Sequence, residues 1–154
     1  MKRIRLALVN LNKPHDLAVV AQTALALQCV EVFLVGNTLD LTHPKVLSKV
    51  RSWNINPAHL QSLQTSRVPK LAELDGYRLI GLMPSGGGSL FDMSVTDIDL
   101  FVLGGANGLS SADEKLLDAK ITLDCDARVP FLTVASVVPT VCFYLDYKLS
   151  GGNS

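Results

Sequence analysis

Two glycine clusters are the residues of this 154-residue chain best suited to holding a ligand. One is Pro84-Ser85-Gly86-Gly87-Gly88-Ser89, the other Gly104-Gly105-Ala106-Asn107-Gly108. Glycine has no Cβ, so such loops let backbone groups approach a bound molecule closely. Each cluster follows an apolar run, and in open α/β sheets ligands gather outside the carboxyl ends of strands. Together the loops suggest one composite pocket; either loop alone reads equally well as an ordinary turn. Other chemistries are excluded by pattern. A dinucleotide site would place G-x-G-x-x-G in the first strand-to-helix turn, but that turn is Asn10-Leu11-Asn12-Lys13-Pro14-His15. No Gly-Lys-Ser/Thr, G-x-S-x-G or H-E-x-x-H occurs. No His, Cys, Asp and Glu set has metal-ligand spacing, so no metal is expected. His15 is placed to touch phosphate or to be a plain loop residue, while His43 and His59 read as surface residues. Lys45, Lys49 and Arg51 with Trp53 fit single-stranded RNA by charge and stacking. A solvated helix face with Trp53 tucked into the core is the favoured reading.

The elements that must position these residues alternate along the chain. Residues 4–9 form a short apolar strand, and residues 10–15 a loop. Asp16 is suited to cap a helix over 17–28, in which Leu17, Val20, Ala21, Ala24 and Leu27 fall at helical spacing. A β-branched strand over 31–35 stops at Gly36-Asn37, and Pro44 opens a short helix to about residue 51. Residues 54–76 are least regular, with one or two short helices divided by Pro57 and Pro69. Strands follow over 77–83 and 99–103. A helix capped by Ser110 or Ser111 runs to Asp118, with Glu114 near the capping-box position. A last strand spans 121–123. A long helix over 133–148, apolar nearly all round, should kink at Pro139. Residues 1–150 form one domain, and the Gly-Gly-Asn-Ser tail at 151–154 is expected to be disordered. Strands alternating with helices make an α/β fold around a mainly parallel sheet covered on both faces.

Composition narrows the partners. The chain is 48% hydrophobic and 18% charged, with 14 basic residues balancing 14 acidic ones. That excludes a disordered tail, a coiled coil and a polybasic arm, and leaves RNA binding to a local patch. No apolar run approaches the roughly 20 residues of a membrane span. The first nine residues lack a secretory leader's apolar core, and Cys29, Cys125 and Cys142 form no disulfide framework and behave most simply as small apolar residues. A soluble, cytoplasmic protein without DNA or membrane partners is expected.

Three segments in order carry a family resemblance. The first runs from Asn12-Lys13-Pro14-His15-Asp16 through Gln22-Thr23-Ala24 into the strand Val30-Glu31-Val32-Phe33-Leu34-Val35. The second is Asp99-Leu100-Phe101-Val102-Leu103-Gly104-Gly105-Ala106-Asn107-Gly108-Leu109-Ser110. The third is Ile121-Thr122-Leu123-Asp124-Cys125, followed by Phe131-Leu132-Thr133-Val134-Ala135-Ser136. With this order and spacing, residues 4–148 resemble the SpoU (TrmH-like) RNA ribose methyltransferases of the SPOUT superfamily. The resemblance implies an α/β-knot, in which the C-terminal segment threads a loop to make a deep trefoil knot. It implies S-adenosylmethionine as cofactor, bound in that knot largely by backbone groups, and tRNA or rRNA as substrate. It also implies a homodimer whose first helix lies near the partner's cofactor pocket. Mapped by motif, cofactor contacts fall on Leu82, Met83, Gly104, Gly108, Leu123, Cys125 and Leu132. Leu82, Leu123 and Leu132 also read as core. A side chain at Gly104 is expected to take the ligand's space, or a backbone position only glycine tolerates, without harming the fold. RNA contacts fall on His15, Asp16 and Gln22, and the catalytic positions on Gln22 and Thr133.

The departures from the family pattern fall on the chemistry. The family's helix arginine is Gln22, a neutral amide in place of a charged fork. The family asparagine before that helix is Asp16, whose charge would repel phosphate. The glutamate of Gly-Asn-Glu is absent, with Gly105 and Ala106 in a shortened loop, and the serine and asparagine of the last motif are Phe131 and Thr133. Two readings stand. One is a methyltransferase acting on a ribose 2′-hydroxyl; the other is a catalytically impaired homodimer that binds RNA or cofactor.

Overall fold

In a computed structural model, which describes residues 3–126 and 128–151, the backbone builds one seven-stranded sheet. In chain order the elements are β1 (Ile4–Val9), α1 (Pro14–Leu27), β2 (Val30–Val35), α2 (Pro44–Ser52), β3 (Gln64–Val68) and β4 (Arg78–Leu82). β5 (Gly88–Ser89), β6 (Asp99–Gly104), α3 (Ser111–Glu114), β7 (Ala119–Thr122) and α4 (Val134–Leu149) complete it. The strand order is β3-β2-β1-β6-β4-β7-β5, and every pairing is parallel. A parallel sheet needs cover on both faces, which is why β1, β2 and β6 are nearly continuous apolar runs.

The main core lies on one face. There Leu17, Val20, Ala21 and Ala24 of α1 meet Val138, Val141, Cys142 and Leu145 of α4 over Leu6, Leu8, Phe101 and Leu103. The other face carries a smaller cluster in which Leu71 and Leu74 cover Ala7, Val9, Leu79, Leu100 and Val102. Burial pushes the Cys142 thiol up to about 12, so it behaves as an apolar core group.

Several boundaries differ from the sequence expectation. α1 begins at Pro14, with Lys13 extended before it and making no side-chain cap. Proline's fixed φ suits the first helical position and biases its predecessor away from helix, so Asp16 lies inside the first turn and is not the cap. Within the irregular stretch lies β3, which carries no sequence signal because its residues are exposed or only half-buried, leaving no alternation to read. Arg67 on β3 donates to the carbonyls of Gly36 (3.1 Å) and Thr38 (2.6 Å) and pairs with Asp40 at 2.7 Å. α3 is capped by Ser110, whose hydroxyl accepts from the Asp113 amide, but it ends at Glu114. Asp118 binds the Leu79 backbone twice, through its amide and its carboxylate, each at 2.8 Å, which draws the chain back to the sheet. α4 is continuous through Pro139; it buries one stripe, and Phe143 and Tyr147 are more than half exposed. The expected tail at 152–154 lies outside the described residues.

The amino edge of the sheet is tied by charge. Asp99, buried at the start of β6, accepts from Arg78 Nε (2.7 Å) and Nη2 (2.9 Å), and from the Thr96 amide (2.8 Å) and hydroxyl (2.6 Å). Burial raises its pKa, but these hydrogen bonds outweigh it and hold the carboxyl below the usual range. Beside it, Arg5 donates to the Asp97 carbonyl at 2.6 Å and lies over the Tyr77 ring. Asp99→Ala should destabilise the fold by about 2–4 kcal/mol, slightly less than a fully buried pair because Arg78 keeps about a third of its side chain in water. A group whose folded pKa is depressed contributes stability above its unfolded pKa of about 3.9 and loses it as pH falls through the folded value. Urea titrations should therefore show a shallower acid-side loss of stability in Asp99→Asn than in the parent.

Candidate functional site

The carboxyl ends of the central strands are held together beyond the strands themselves. Asn10 donates its amide to Val35, Gly36 to Val68, and Gly105 to Val9, each at 3.1 Å, while the Met83 amide reaches the Ile121 carbonyl at 2.9 Å. Thr38, fully buried, sets its hydroxyl 2.6 Å from the Leu8 carbonyl and 2.9 Å from that of Val35, and accepts from the Leu11 amide at 3.1 Å. Asn10, in a left-handed conformation, accepts the Asn37 amide on its side-chain oxygen at 2.9 Å.

Above these ends opens a cavity of about 480 Å³, within the range of small-molecule sites. Its walls come from residues 82–84, 103–109, 121–123, 125 and 129–134, with Lys13, Asp16 and Val137. Leu82, Met83, Gly104, Gly108, Leu123, Cys125 and Leu132 all line it. Leu82 and Leu123 also pack on the main core, so burial and wall are one role for them. Leu132, Phe131 and Val129 are exposed apolar side chains on the cavity's outer wall. Thr133 lines it too, as the residue before α4, with its hydroxyl 3.2 Å from that of Ser136. The amino ends of both α1 and α4 adjoin the cavity, adding the positive partial charge of their free N–H groups.

Gly104 acts differently from the sequence expectation. A Cβ there would meet backbone, 2.5 Å from the Gly108 carbonyl carbon and 2.8 Å from the Leu109 nitrogen, and not the ligand's space. The 105–108 turn closes with the Gly108 amide on the Gly105 carbonyl (2.9 Å), and Gly108 holds φ +70°. These glycines shape the wall from behind, so a side chain at Gly104 alters the loop itself.

The other sequence candidates separate. Asp16 lines the cavity together with Lys13. Gln22 does not: it is exposed on α1 and lines a second cleft with Arg3, Gln28, His59 and Gln64. His15 packs edge-on against Trp53 at 5.8 Å, and Trp53 leans on the main core. His43 caps α2, its Nδ1 accepting the Lys45 amide at 3.1 Å. Sequence reasoning missed Lys13 as a cavity residue; Lys13-Pro14 before a helix, at the carboxyl end of β1, was the available signal. It also took Cys125 for a small apolar residue, in addition to mapping it by motif, whereas the thiol is exposed and donates to the Leu123 carbonyl at 3.4 Å.

No family model matches the chain, and no curated protein matches its sequence. Solved structures do resemble it. The SpoU methyltransferase AviRb from Streptomyces viridochromogenes, in complex with AdoMet, superposes with a TM-score of 0.82 at 22% identity, over 99% of this chain and 60% of that one. A structure described as giving insight into the 2-OH methylation of C/U34 on tRNA has a TM-score of 0.84 at 18% identity, over 98% and 93%. The chain has the fold of the SpoU/TrmH RNA methyltransferases. An AdoMet-bound rRNA methyltransferase from Sinorhizobium meliloti gives a TM-score of 0.78 at 17% identity, over 97% of this chain and 57% of that one. The chain thus spans about three-fifths of the length of AviRb and of the Sinorhizobium protein. In this SpoU/TrmH fold, Gly104→Ala should cost about 1–3 kcal/mol by overpacking, seen as a lower urea midpoint. Gly108→Ala, with open space but a left-handed φ, should cost about 1–2 kcal/mol.

Proposed function

We propose that the chain binds S-adenosylmethionine in this cavity and, as a homodimer, methylates the ribose 2′-hydroxyl of tRNA or rRNA in the cytoplasm. The observation that carries the proposal is the cavity itself. It joins three loops at the carboxyl ends of β4, β6 and β7, in a fold shared with methyltransferases solved with AdoMet. The residues present fit that group. Leu82, Leu123 and Leu132 offer apolar surface to an adenine ring, and the backbone at 104–109, 121–123 and 125 supplies polar groups to a nucleoside. S-adenosylmethionine supplies a methyl group activated on a sulfonium. The protein's part is to orient the acceptor hydroxyl, shield it from water and remove its proton.

The α/β-knot belongs to this proposal, with residues beyond β7 threading the loop behind the cavity, as does the single domain over 1–150. Assembly rests on α4: Phe143 and Tyr147 lie one turn apart and exposed, beside Tyr144, whose ring meets exposed Phe91 edge-on at 5.0 Å. A two-fold contact over this surface gives the homodimer, and brings α1, with Gln22, toward the partner's cavity.

A second reading is an RNA- or cofactor-binding module without transfer. It is favoured by Gln22, Ala106, Phe131 and Thr133, none of which is a base or a cation. Calorimetry with S-adenosylmethionine tests what both readings share, and a Kd in the micromolar range is expected. Tritiated methyl incorporation into total tRNA and rRNA separates them; the first reading expects turnover, increased by Gln22→Arg. No cofactor binding, or a monomer by light scattering at micromolar concentration, would count against the proposal.

A further inference from the structure

If the site methylates a ribose, something in it must take the hydroxyl's proton, and the family's arginine position supplies nothing suitable. Gln22 is neutral and lies outside the cavity of its own protomer. The cavity's own side chains can be considered one by one. Asn107 and Thr122 carry no basic group at neutral pH, and the Thr133 hydroxyl is within hydrogen-bonding distance of Ser136. The Cys125 thiol is committed as a donor to the Leu123 carbonyl. Lys13 presents an ammonium, which has no lone pair to accept with. Asp16 remains, the one carboxylate among the described residues lining the cavity.

Asp16 is half-buried and, among the described residues, its side chain makes no hydrogen bond or ion pair with the fold. The position it takes, inside the first turn of α1 and not at the cap, frees its carboxylate from bonding that helix's N–H groups as a cap would. Lys13 stands three residues before it, and the two, both unpaired, are the charged residues that line the cavity among the described residues. A carboxylate alone would repel RNA; a cation one turn away offsets that and offers a phosphate contact.

We propose that Asp16 is the general base of this site and Lys13 the contact for the phosphate beside the target ribose. The inference rests on the methyltransferase reading above. Asp16 accepts the 2′-hydroxyl proton as that oxygen forms its bond to the donated methyl carbon. The methyl–sulfur bond breaks with its electron pair left on sulfur, which becomes a neutral thioether. The proton on Asp16 then passes to water.

The test uses the full chain with S-adenosylmethionine, total tRNA and rRNA, and the variants Asp16→Asn, Asp16→Glu and Lys13→Ala. Asp16→Asn should leave thermal unfolding and S-adenosylmethionine affinity as in the parent and lower the maximal transfer rate by about 10²–10⁴-fold. It should bind RNA more tightly, because a negative charge facing phosphates is gone; a merely structural residue would not split rate and affinity this way. Asp16→Glu, which keeps a carboxylate, should recover part of the rate. Lys13→Ala should weaken RNA binding and reduce its salt slope by about 0.7–0.9. Wild-type transfer in Asp16→Asn, loss of cofactor binding in that variant, or a parent that binds cofactor and RNA without transfer would each overturn the assignment. A parent that binds no S-adenosylmethionine, seen before RNA is added, would instead remove the methyltransferase reading itself, and the assignment with it.

Discussion

The site depends on how closely the end of β6 is drawn against the end of β1. The Gly105 amide bonds the Val9 carbonyl, and a side chain at Gly105 would collide with the Asn10 carbonyl, so the two backbones meet with nothing between them. That contact fixes where the 105–108 turn can go. The turn in turn sets one wall of the cavity, while Asn10, bent into the left-handed region, steers the chain toward Lys13 and α1. Glycine is needed here for close approach, and the strands for holding the approach in register.

Stability and the candidate site are divided between the two ends of the sheet. At the amino edge, Asp99 is saturated with donors and Arg78 is bound to it in a forked geometry. At the carboxyl edge, the charged side chains that line the cavity have no partners among the described residues, and the outer wall carries exposed Val129, Phe131 and Leu132. A fold gains nothing from uncommitted charge and exposed aromatic surface, whereas a binding site needs both.

The central strands and the long helices were legible because burial on both faces leaves long apolar runs and helical spacing that local pattern reports. The residues mapped to the cofactor by motif order line one cavity, although the first and last of them are more than forty residues apart in sequence. What escaped has physical reasons. β3 is a polar edge strand held by backbone bonds and Arg67, with no buried face to mark it. Asp16 also read as a helix cap, and the preference of Pro14 for the first helical position excludes that role. The reason for glycine at position 104 was hidden because the obstructing atoms are backbone, from residues four and five positions later. His43 capping α2 through its ring nitrogen has no strong sequence signal, since histidine is not among the favoured caps.

The strand order carries a consequence for how the chain reaches this state. β6 sits between β1 and β4, yet its partner in the register Leu6↔Phe101 was synthesised some ninety residues earlier. β1, β2 and β3 can pair as they emerge, but β1, apolar except for Arg5, then presents an unpaired edge until residues 99–104 arrive and insert. Closing that loop costs entropy before any contact rewards it, which makes central-strand insertion a slow, late step. During that interval the half-formed sheet exposes the very edge that its neighbours in a crowded solution would bind.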